Sequence, residues 1–312
     1  MFYFDESKKD SICAVGVEKH NPKALIYIHK NKKEGNKKKY AFSFIDHEKT
    51  IQQYGIKGKE KQKILSKLEK AYFEDLDEDD LKLEDPKFVK VYKEVKQKED
   101  VKAKFEADGK IIPLLRNDWF NVVYINGSSG SGKTKIGVAM TNEYKKTHKK
   151  ANVYLISKKE TDKTIDQIKG IKKIDVETFK TDPISVEEFE KEDVILFDDY
   201  EGYEATDKPL YKLIVGFLND CITMGRTKLL QIFVITHSSA MGKATSLLFQ
   251  EATYFILYPQ SCSYHSLKYI LKEKVGLSTE DIKRVKQMKS KYVVINNKYP
   301  KYIISGHTIE LI

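Results

Sequence analysis

The segment that most constrains the fold of this chain is a glycine- and serine-rich turn that ends in a lysine and a threonine: Gly127-Ser128-Ser129-Gly130-Ser131-Gly132-Lys133-Thr134. It matches the pattern G-x-x-x-x-G-K-[ST] at every fixed position. An apolar run, NVVYING, leads into it, and a segment with helical spacing, TKIGVAMTNEYKKTHKK, follows it. Glycines allow successive backbone N–H groups to point at one anion, and the helix adds its positive N-terminal end. The sequence therefore predicts a strand, a phosphate-binding loop and a helix, with the whole loop contacting a nucleoside triphosphate.

Two residues at the end of the loop carry its specific chemistry. Lys133 is predicted to place a point charge on the β- and γ-phosphates, and Thr134 is predicted to offer its hydroxyl to Mg²⁺. We therefore predict ATP and Mg²⁺ as the ligands. A serine–glycine turn with an unrelated lysine is the alternative, but that alternative does not account for the flanking strand and helix.

Apolar strands alternate with helical segments from about residue 109 onward. After the strand that leads into the loop come ANVYLIS, EDVILFDDY, LLQIFVITHSS and EATYFILYP, each nearly continuous in apolar residues. Strands of this composition are buried on both faces. The pattern predicts an α/β fold of the P-loop NTPase type, a mainly parallel sheet flanked by helices.

Three regions are predicted along the 312-residue chain. Residues 1–108 are expected to form a smaller α+β region of short strands, two helices and the acidic loop EDLDEDDLKLED. Residues 109–262 are expected to form the ATPase core. Residues 263–312 are expected to form a basic appendage of two helices followed by short strands.

A pair of acids follows the apolar run VILF and occupies positions 198 and 199. Parallel sheets bind their ligands at the carboxyl ends of the strands, where this pair is predicted to lie. We assign Asp198 to Mg²⁺ and Asp199 to the general base that polarises the attacking water. Paired acids after a strand can also cap a turn or a helix, but the upstream phosphate-binding loop favours the catalytic interpretation.

Two further residues flank the strand LLQIFVIT. His237 follows it and is predicted to sense the γ-phosphate or the attacking water. Arg226 precedes it and is predicted to act as an arginine finger, either in its own site or in that of a neighbouring subunit. The simpler interpretations, a packed histidine and a surface arginine, stay open at this point.

The charge of the chain favours an acidic polymer as a partner. The formal net charge is +10, and the segment from position 268 to position 301 contains ten Lys or Arg residues but only three acids. Duplex DNA carries dense charge that lysines can contact in any sequence. The predicted DNA contacts are Lys283, Arg284, Lys286 and Lys289. An ordinary solvated helix face, or a surface rich in lysine for reasons unrelated to DNA, is the alternative.

The cellular location is predicted from what the sequence lacks. No apolar stretch is long enough to span a bilayer, and the first residues, MFYFDESKKD, do not have the apolar run of a signal peptide. The three cysteines are far apart, as is typical of proteins in a reducing compartment. We therefore expect an intracellular protein that is neither secreted nor inserted in a membrane.

Four motifs, together with the order of the predicted elements after them, resemble those of a known family. The runs YINGSSGSGKT, VILFDDYE, GRTKLLQIFVITHS and EATYFILYP, followed by a helix, GLS, a basic helix, a strand and YP, resemble genome-packaging ATPases of large double-stranded DNA viruses and their virophages. These enzymes belong to the FtsK/HerA branch of P-loop ATPases, so the resemblance implies a RecA/FtsK-HerA-like fold. It covers roughly residues 109–305 and is most specific at the Gly225-Arg226 pair. The family usually has Gln at the position of His237 and often His at that of Thr227.

The resemblance implies what the chain does. It implies nucleotide-binding roles for Gly127, Gly132, Lys133 and Thr134, and Mg²⁺-binding and water-activating roles for Asp198 and Asp199. It also implies a homo-oligomeric ring that hydrolyses ATP to pull double-stranded DNA into a capsid, with a capsid component as a further partner. The expected location is the host cytoplasm, at a viral factory, or the virion.

Three other functions stay open from the sequence alone. A helicase would share the core and would use aromatic platforms for single strands, for which Tyr264, Tyr269 and Tyr292 are available. A P-loop kinase or phosphotransferase would need an arginine-rich lid instead of a basic tail. A non-enzymatic regulator that only binds nucleotide would not need the second carboxylate, Asp199.

Overall fold

The computed structural model describes residues 2–3, 11–17, 24–28, 50–74, 81–82, 84–106, 110–116, 119–237, 246–298 and 301–312. The chain divides into two compact units. The smaller consists of Met1–Phe2 and His29–Phe105, and the larger of Tyr3–Ile28 and Glu106–Ile312. Two short strands, β1 (Phe2–Tyr3) and β4 (Lys104–Glu106), span two of the three points where the chain passes between the units.

The smaller unit contains two long helices, α1 (Gly58–Glu74) and α2 (Pro86–Ala103). Apolar residues three or four positions apart place one face of each helix in a shared core. This core contains Ile64 and Leu68 of α1 with Phe88 and Val91 of α2. Both helices were expected from the spacing. One of the short strands expected within residues 1–108, the run YAFSFIDHE, and most of the acidic loop, residues 75–80 and 83, lie outside the described residues.

The larger unit opens with three antiparallel strands. They are β2 (Ser11–Val17), β3 (Ala24–Ile28) and β5 (Lys110–Pro113), and β2 lies between the other two. Cys13 is fully buried here, and its Sγ lies 3.2 Å from the carbonyl oxygen of Ile26.

Nine further strands of the larger unit form one sheet. In chain order they are β6 (Asn121–Asn126), β7 (Val153–Ser157), β8 (Ile171–Lys173), β9 (Val194–Asp198), β10 (Gln231–Thr236), β11 (Tyr254–Leu257), β12 (Val293–Asn296), β13 (Tyr302–Ile304) and β14 (Thr308–Leu311). Their order across the sheet is β14-β13-β12-β11-β6-β10-β9-β7-β8. The six from β11 to β8 are parallel, and β12, β13 and β14 are antiparallel.

Helices cover both faces of this sheet. They are α3 (Lys133–Thr147), α4 (Gly202–Thr206), α5 (Lys208–Met224), α6 (Ser246–Glu251), α7 (Tyr264–Tyr269), a π-helix (Ile270–Val275) and α8 (Thr279–Gln287), with short 3₁₀ turns at Ile165–Gln167, Val176–Lys180 and Val186–Glu188. The strands of β6, β9, β10 and β11 are buried along their whole length. The predicted α/β fold with a mainly parallel sheet is confirmed.

Alternation along the strands puts α3 and α5 on opposite faces. Gly137 of α3 lies against the side chains of Ile125 and Ile235, where an added Cβ would approach both to 3.3 Å. The strand residue just before Ile125, Tyr124, belongs instead to the core with Phe217 of α5. Helix α3 is therefore held close to the centre of the sheet, directly after the loop that precedes it.

The region boundaries differ from those expected. Strand β12 pairs with β11, with Leu257 opposite Val293, so the C-terminal residues continue the central sheet and do not form an appendage. The physical reason is that β11 is apolar and fully buried and needs a neighbour on its outer edge. Likewise residues 11–28, expected in an N-terminal region, belong to the larger unit because β2 pairs with β5.

Across the part of the chain that the structure describes, no helix combines the length and the apolar character needed to cross a bilayer.

Candidate active site

The predicted site residues follow three adjacent strands at one edge of the sheet. Thr236 at the end of β10 is opposite Asn126 at the end of β6, and Ile235 is opposite Asp198 at the end of β9. Because these strands are parallel, the segments that follow them meet at their shared carboxyl edge. The phosphate-binding loop, Asp199 and His237 therefore converge, although they are far apart in the sequence.

The loop between β6 and α3 has a backbone that only glycine adopts easily at two positions. Gly130 has φ 73° and Gly132 has φ 102°, both in the left-handed region. At Gly127 an added Cβ would stand 2.9 Å from the ring of Tyr258 and from Ser131 Oγ. Helix α3 begins at Lys133 without a side-chain cap on its first N–H groups. These N–H groups can therefore bind an anion.

Lys133 is buried, and its ammonium group points back into the loop. Its Nζ donates to the carbonyl oxygens of Gly127 at 2.8 Å and Ser128 at 3.0 Å. Burial lowers the pKa of Lys133 from its usual range, and the nearby charges of Asp199 and Asp198 oppose that shift. A left-handed glycine loop around a buried lysine, between a central strand and a helix, is the arrangement expected of a nucleotide site. This is a P-loop NTPase fold.

Asp198 is only 1% exposed at the end of β9, and its Oδ2 has no hydrogen-bond partner among the described residues. Burial, with the adjacent charge of Asp199, raises the pKa of Asp198 to about 6. A desolvated carboxylate oxygen without a donor is suited to a cation.

Mg²⁺ fits this site. No group of three or more His, Cys, Asp and Glu side chains within the described ranges could hold a metal. Mg²⁺, however, is usually bound by one or two protein oxygens together with water and substrate phosphates. Asp198 and the hydroxyl of Thr134 would be those protein ligands, as predicted from the sequence.

Asp199 has φ 52°, an unusual conformation for a residue other than glycine. Its carboxylate contacts two cationic or donor groups: His237 Nε2 lies 2.8 Å from Oδ1, and Lys159 forms an ion pair with Oδ2. Backbone strain of this kind occurs often at functional sites, where the surrounding contacts maintain it. Asp199, which we predicted to be the general base, is thus held by His237 and Lys159 directly after β9.

His237 links the loop lysine to the second acid. Its Nδ1 lies 3.1 Å from Lys133 Nζ, and its Nε2 lies 2.8 Å from Asp199 Oδ1. A lysine ammonium can only donate, so Nδ1 accepts and the proton of a neutral imidazole is on Nε2. The residue predicted as a sensor therefore contacts both the phosphate-binding lysine and the proposed base.

Lys159 was not predicted from the sequence. It lies two residues beyond Ser157, the last residue of β7, and the hydrogen bond to Asp199 raises its pKa. Within the run SKKETDK it has the composition of an ordinary surface loop. What could have indicated its role is its position in the sheet, because β7 is the neighbour of β9 and both strands end at the same edge.

Arg226 is not brought to this site in its own chain. It precedes β10, whereas His237 follows it, and six strand residues span about 20 Å. The Arg226 side chain is 70% exposed, and its Nη2 lies 3.2 Å from Glu251 Oε2. Gly225 has no room for a Cβ, which would meet the carbonyl oxygen of Cys221. The structure therefore does not support a role for Arg226 in the site of the same chain.

The four basic residues predicted to contact DNA differ in their surroundings. Lys283 and Lys289 are exposed and have no ion-pair or hydrogen-bond partner within the described part of the chain. Lys286 lies over the ring of Tyr264, 4.3 Å from its centroid. Arg284 is paired with Asp281 at 2.9 Å and with Glu310 at 3.6 Å. Arg284 therefore has carboxylate partners of its own, whereas none of the three lysines has one among the described residues.

Comparisons with known proteins give several similar chains. No family model matches the chain. The uncharacterized protein V3 of Sputnik virophage is 28% identical over 198 residues, which cover 63% of this chain and 79% of V3. The genome packaging NTPase B204 from Sulfolobus turreted icosahedral virus 2, in complex with ATP-gammaS, aligns with a TM-score of 0.40 and 13% identity over 63% of this chain and 98% of B204.

The pCW3 conjugation coupling protein TcpA, in its monomer form with ATPgS, aligns with a TM-score of 0.44 and 10% identity over 65% of each chain. A virophage protein is thus among the chains similar in sequence to this one, as the resemblance led us to expect. With TM-scores this low, the likenesses to solved structures do not assign a function, which has to be argued from the site residues.

Proposed function

We propose that this chain is a Mg²⁺-dependent ATPase that translocates double-stranded DNA as part of a homo-oligomeric ring and packages a viral genome. The observation that carries the ATPase proposal is the chain of contacts Lys133–His237–Asp199 beside a glycine loop and a buried Asp198, whose Oδ2 has no hydrogen-bond partner among the described residues. A protein that only binds nucleotide would not need a strained second carboxylate that is oriented by a histidine.

Each site residue has a distinct role in the proposed reaction. The loop N–H groups and Lys133 bind the phosphates of ATP and stabilise the charge that develops on the γ-phosphate. Asp198 and Thr134 would hold Mg²⁺, which when bound supplies positive charge to the β- and γ-phosphates. Asp199 accepts a proton from the attacking water, and His237, in contact with Lys133 and Asp199, responds to the loss of the γ-phosphate.

Replacing Asp199 with Asn is expected to preserve ATP binding and to stop hydrolysis, because an amide cannot accept the proton of the water. Replacing Asp198 with Asn is expected to raise the Mg²⁺ concentration needed for activity, because the remaining amide oxygen is a weaker ligand. ATP binding by calorimetry and phosphate release across a Mg²⁺ titration distinguish the two variants.

Asp162 provides a matched control, since it is a partly exposed acid whose carboxylate lies near Lys159 but is not assigned a role. Asp162→Asn should behave as the unmodified chain. If Asp199→Asn hydrolyses ATP normally while Asp198→Asn does not, the roles of the two acids are the reverse of those proposed.

The DNA part of the proposal is supported by the exposed basic residues around α8. Duplex DNA is expected to stimulate the ATPase, and its binding should weaken steeply with salt. A protein that neutralises about six phosphates loses roughly a thousandfold in affinity between low and moderate salt. Turnover and DNA affinity measured over a salt series test this expectation, and binding that does not change with salt would contradict it.

The three lysines that lack a structural ion pair are the residues to change. Replacing Lys283, Lys286 and Lys289 with Glu should reduce stimulation by all DNA sequences alike, because phosphate contacts do not read bases. The same change of charge at Lys149, Lys150 and Lys169, which are exposed elsewhere, is the control. If both triple variants lose stimulation equally, the net charge of the chain, and not the position of the lysines, accounts for DNA binding.

A helicase is the alternative function. Displacement of one strand without translocation along the duplex would indicate it.

A further inference from the structure

The C-terminal part of the chain reaches the phosphate-binding loop because of the strand order. Leu257 at the end of β11 is opposite Asn126 at the end of β6 and also opposite Val293 at the start of β12. The antiparallel strand β12 therefore begins at the edge where the parallel strands end. The residues just before it, Lys291 and Tyr292, are placed beside the loop.

Two tyrosines hold this part of the chain against the loop. Tyr258, which follows β11, is buried, and its ring lies against Gly127, where an added Cβ would meet it at 2.9 Å. Tyr292 packs on Tyr258 with ring centroids 6.1 Å apart. The backbone at Lys291 is therefore anchored through its neighbour, and its position near the loop is not that of an unrestrained surface residue.

The ammonium group of Lys291 is directed toward the loop. Its Nζ lies 3.7 Å from the point where a Cβ on Gly132 would stand, and Tyr258 Oη lies 3.8 Å from the same point. In the part of the chain that the structure describes, Lys291 has no carboxylate or hydrogen-bond partner. The Lys291 ammonium group thus lies beside Gly132, the residue just before the uncapped N-terminus of α3, whose N–H groups are suited to an anion.

A phosphate group bound by the loop N–H groups would attract an ammonium group at this position, since the two carry opposite charges. We propose that Lys291 is a second phosphate-binding lysine, contributed by the C-terminal part of the chain to the nucleoside triphosphate in the loop. This inference rests on the proposed nucleotide site but not on DNA translocation. Lys291 would contact a phosphate oxygen from the part of the loop at Gly132.

A different role for Lys291 is contact with DNA, since α8 and its lysines come just before it in the chain. The two roles predict different losses. If Lys291 contacts the nucleotide, its removal lowers the affinity for a triphosphate in the absence of DNA, and by more than it lowers the affinity for a diphosphate. If Lys291 contacts DNA, its removal leaves the nucleotide affinity unchanged and lowers the DNA affinity.

The test is calorimetric titration of the full chain, without DNA, with ATPγS, ADP and adenosine. Lys291→Ala should weaken ATPγS binding about tenfold, as expected for the loss of one charge-assisted hydrogen bond, and should leave adenosine binding unchanged. Lys291→Arg should retain most of the affinity. Lys268→Ala, which removes an exposed lysine on α7, is the matched control and should bind as the unmodified chain.

The outcomes separate this inference from the proposed function. If Lys133→Ala loses ATPγS binding and Lys291→Ala does not, only the inference is overturned. If the unmodified chain does not bind ATPγS, the inference and the ATPase proposal are both overturned. If binding depends on Lys291 but DNA has no effect on turnover, the inference stands and the motor function fails. Unchanged thermal unfolding of Lys291→Ala, expected for an exposed side chain, excludes a folding defect.

Discussion

Lys133→Ala is expected to lower ATP turnover by several powers of ten, one of the largest effects expected of a single substitution in this chain. The ammonium group is buried in the loop, and in the proposed reaction it balances the charge that develops on the γ-phosphate. Steady-state phosphate release and ATPγS titration measure the loss. Turnover equal to that of the unmodified chain would overturn the ATPase proposal.

The substitution also removes structural contacts, because Lys133 donates to the carbonyl oxygens of Gly127 and Ser128. Two further variants separate chemistry from folding. Lys133→Arg retains the charge but not the compact shape, and should fold while losing most of the turnover. Lys135→Ala, which alters an exposed lysine on the same helix, should retain normal turnover. Thermal unfolding of all three variants shows whether the loop itself is disturbed.

Arg226→Ala is expected to bind ATP normally and to hydrolyse it about a thousandfold more slowly, the effect typical of a lost arginine finger. Arg226 lies at the opposite edge of the sheet from the site of its own chain and is largely exposed. It can therefore reach a γ-phosphate only in a neighbouring subunit. Hydrolysis would then depend on assembly, which allows subunits to act in order around DNA.

Mixing experiments test this arrangement directly. Inactive Arg226→Ala and inactive Lys133→Ala subunits should regain some activity together, because a Lys133→Ala subunit still supplies Arg226 to the intact site of its neighbour. Absence of rescue in confirmed mixed assemblies would contradict a finger acting between subunits. Glu251→Ala is the control, since it removes the partner of Arg226 without removing the guanidinium, and it should remain active.

The sequence was most informative where chemistry is local to one segment. The loop, the helix after it and the acids after β9 are each contained in a few consecutive residues, so their patterns predicted both structure and position. The spacing of Ile64 and Leu68 likewise predicted a helix without knowledge of its partner. Three-residue strands such as β8 and β13 have too few positions to show a period, and β8 was not predicted.

What the sequence could not predict depends on the order of strands in the sheet. Strand β10 lies between β6 and β9, and this order places His237 between Lys133 and Asp199. The contacts of Lys159 and Lys291 have the same origin, since each follows or precedes a strand that ends at this edge. No local pattern marks either lysine, because each looks like one more charged residue in a basic chain.

The pairing of β12 with β11 also decides how the C-terminal segment can be studied. A chain that ended at residue 262 would leave β11 as an edge strand with four fully buried apolar residues and a row of unpaired backbone groups. Such an edge is a template for association with other chains. A truncated protein would therefore be expected to aggregate, and its inactivity would say nothing about DNA. The residues that cover β11 and the lysines proposed to contact DNA lie in the same C-terminal segment, so only charge changes on the exposed lysines can separate solubility from DNA binding.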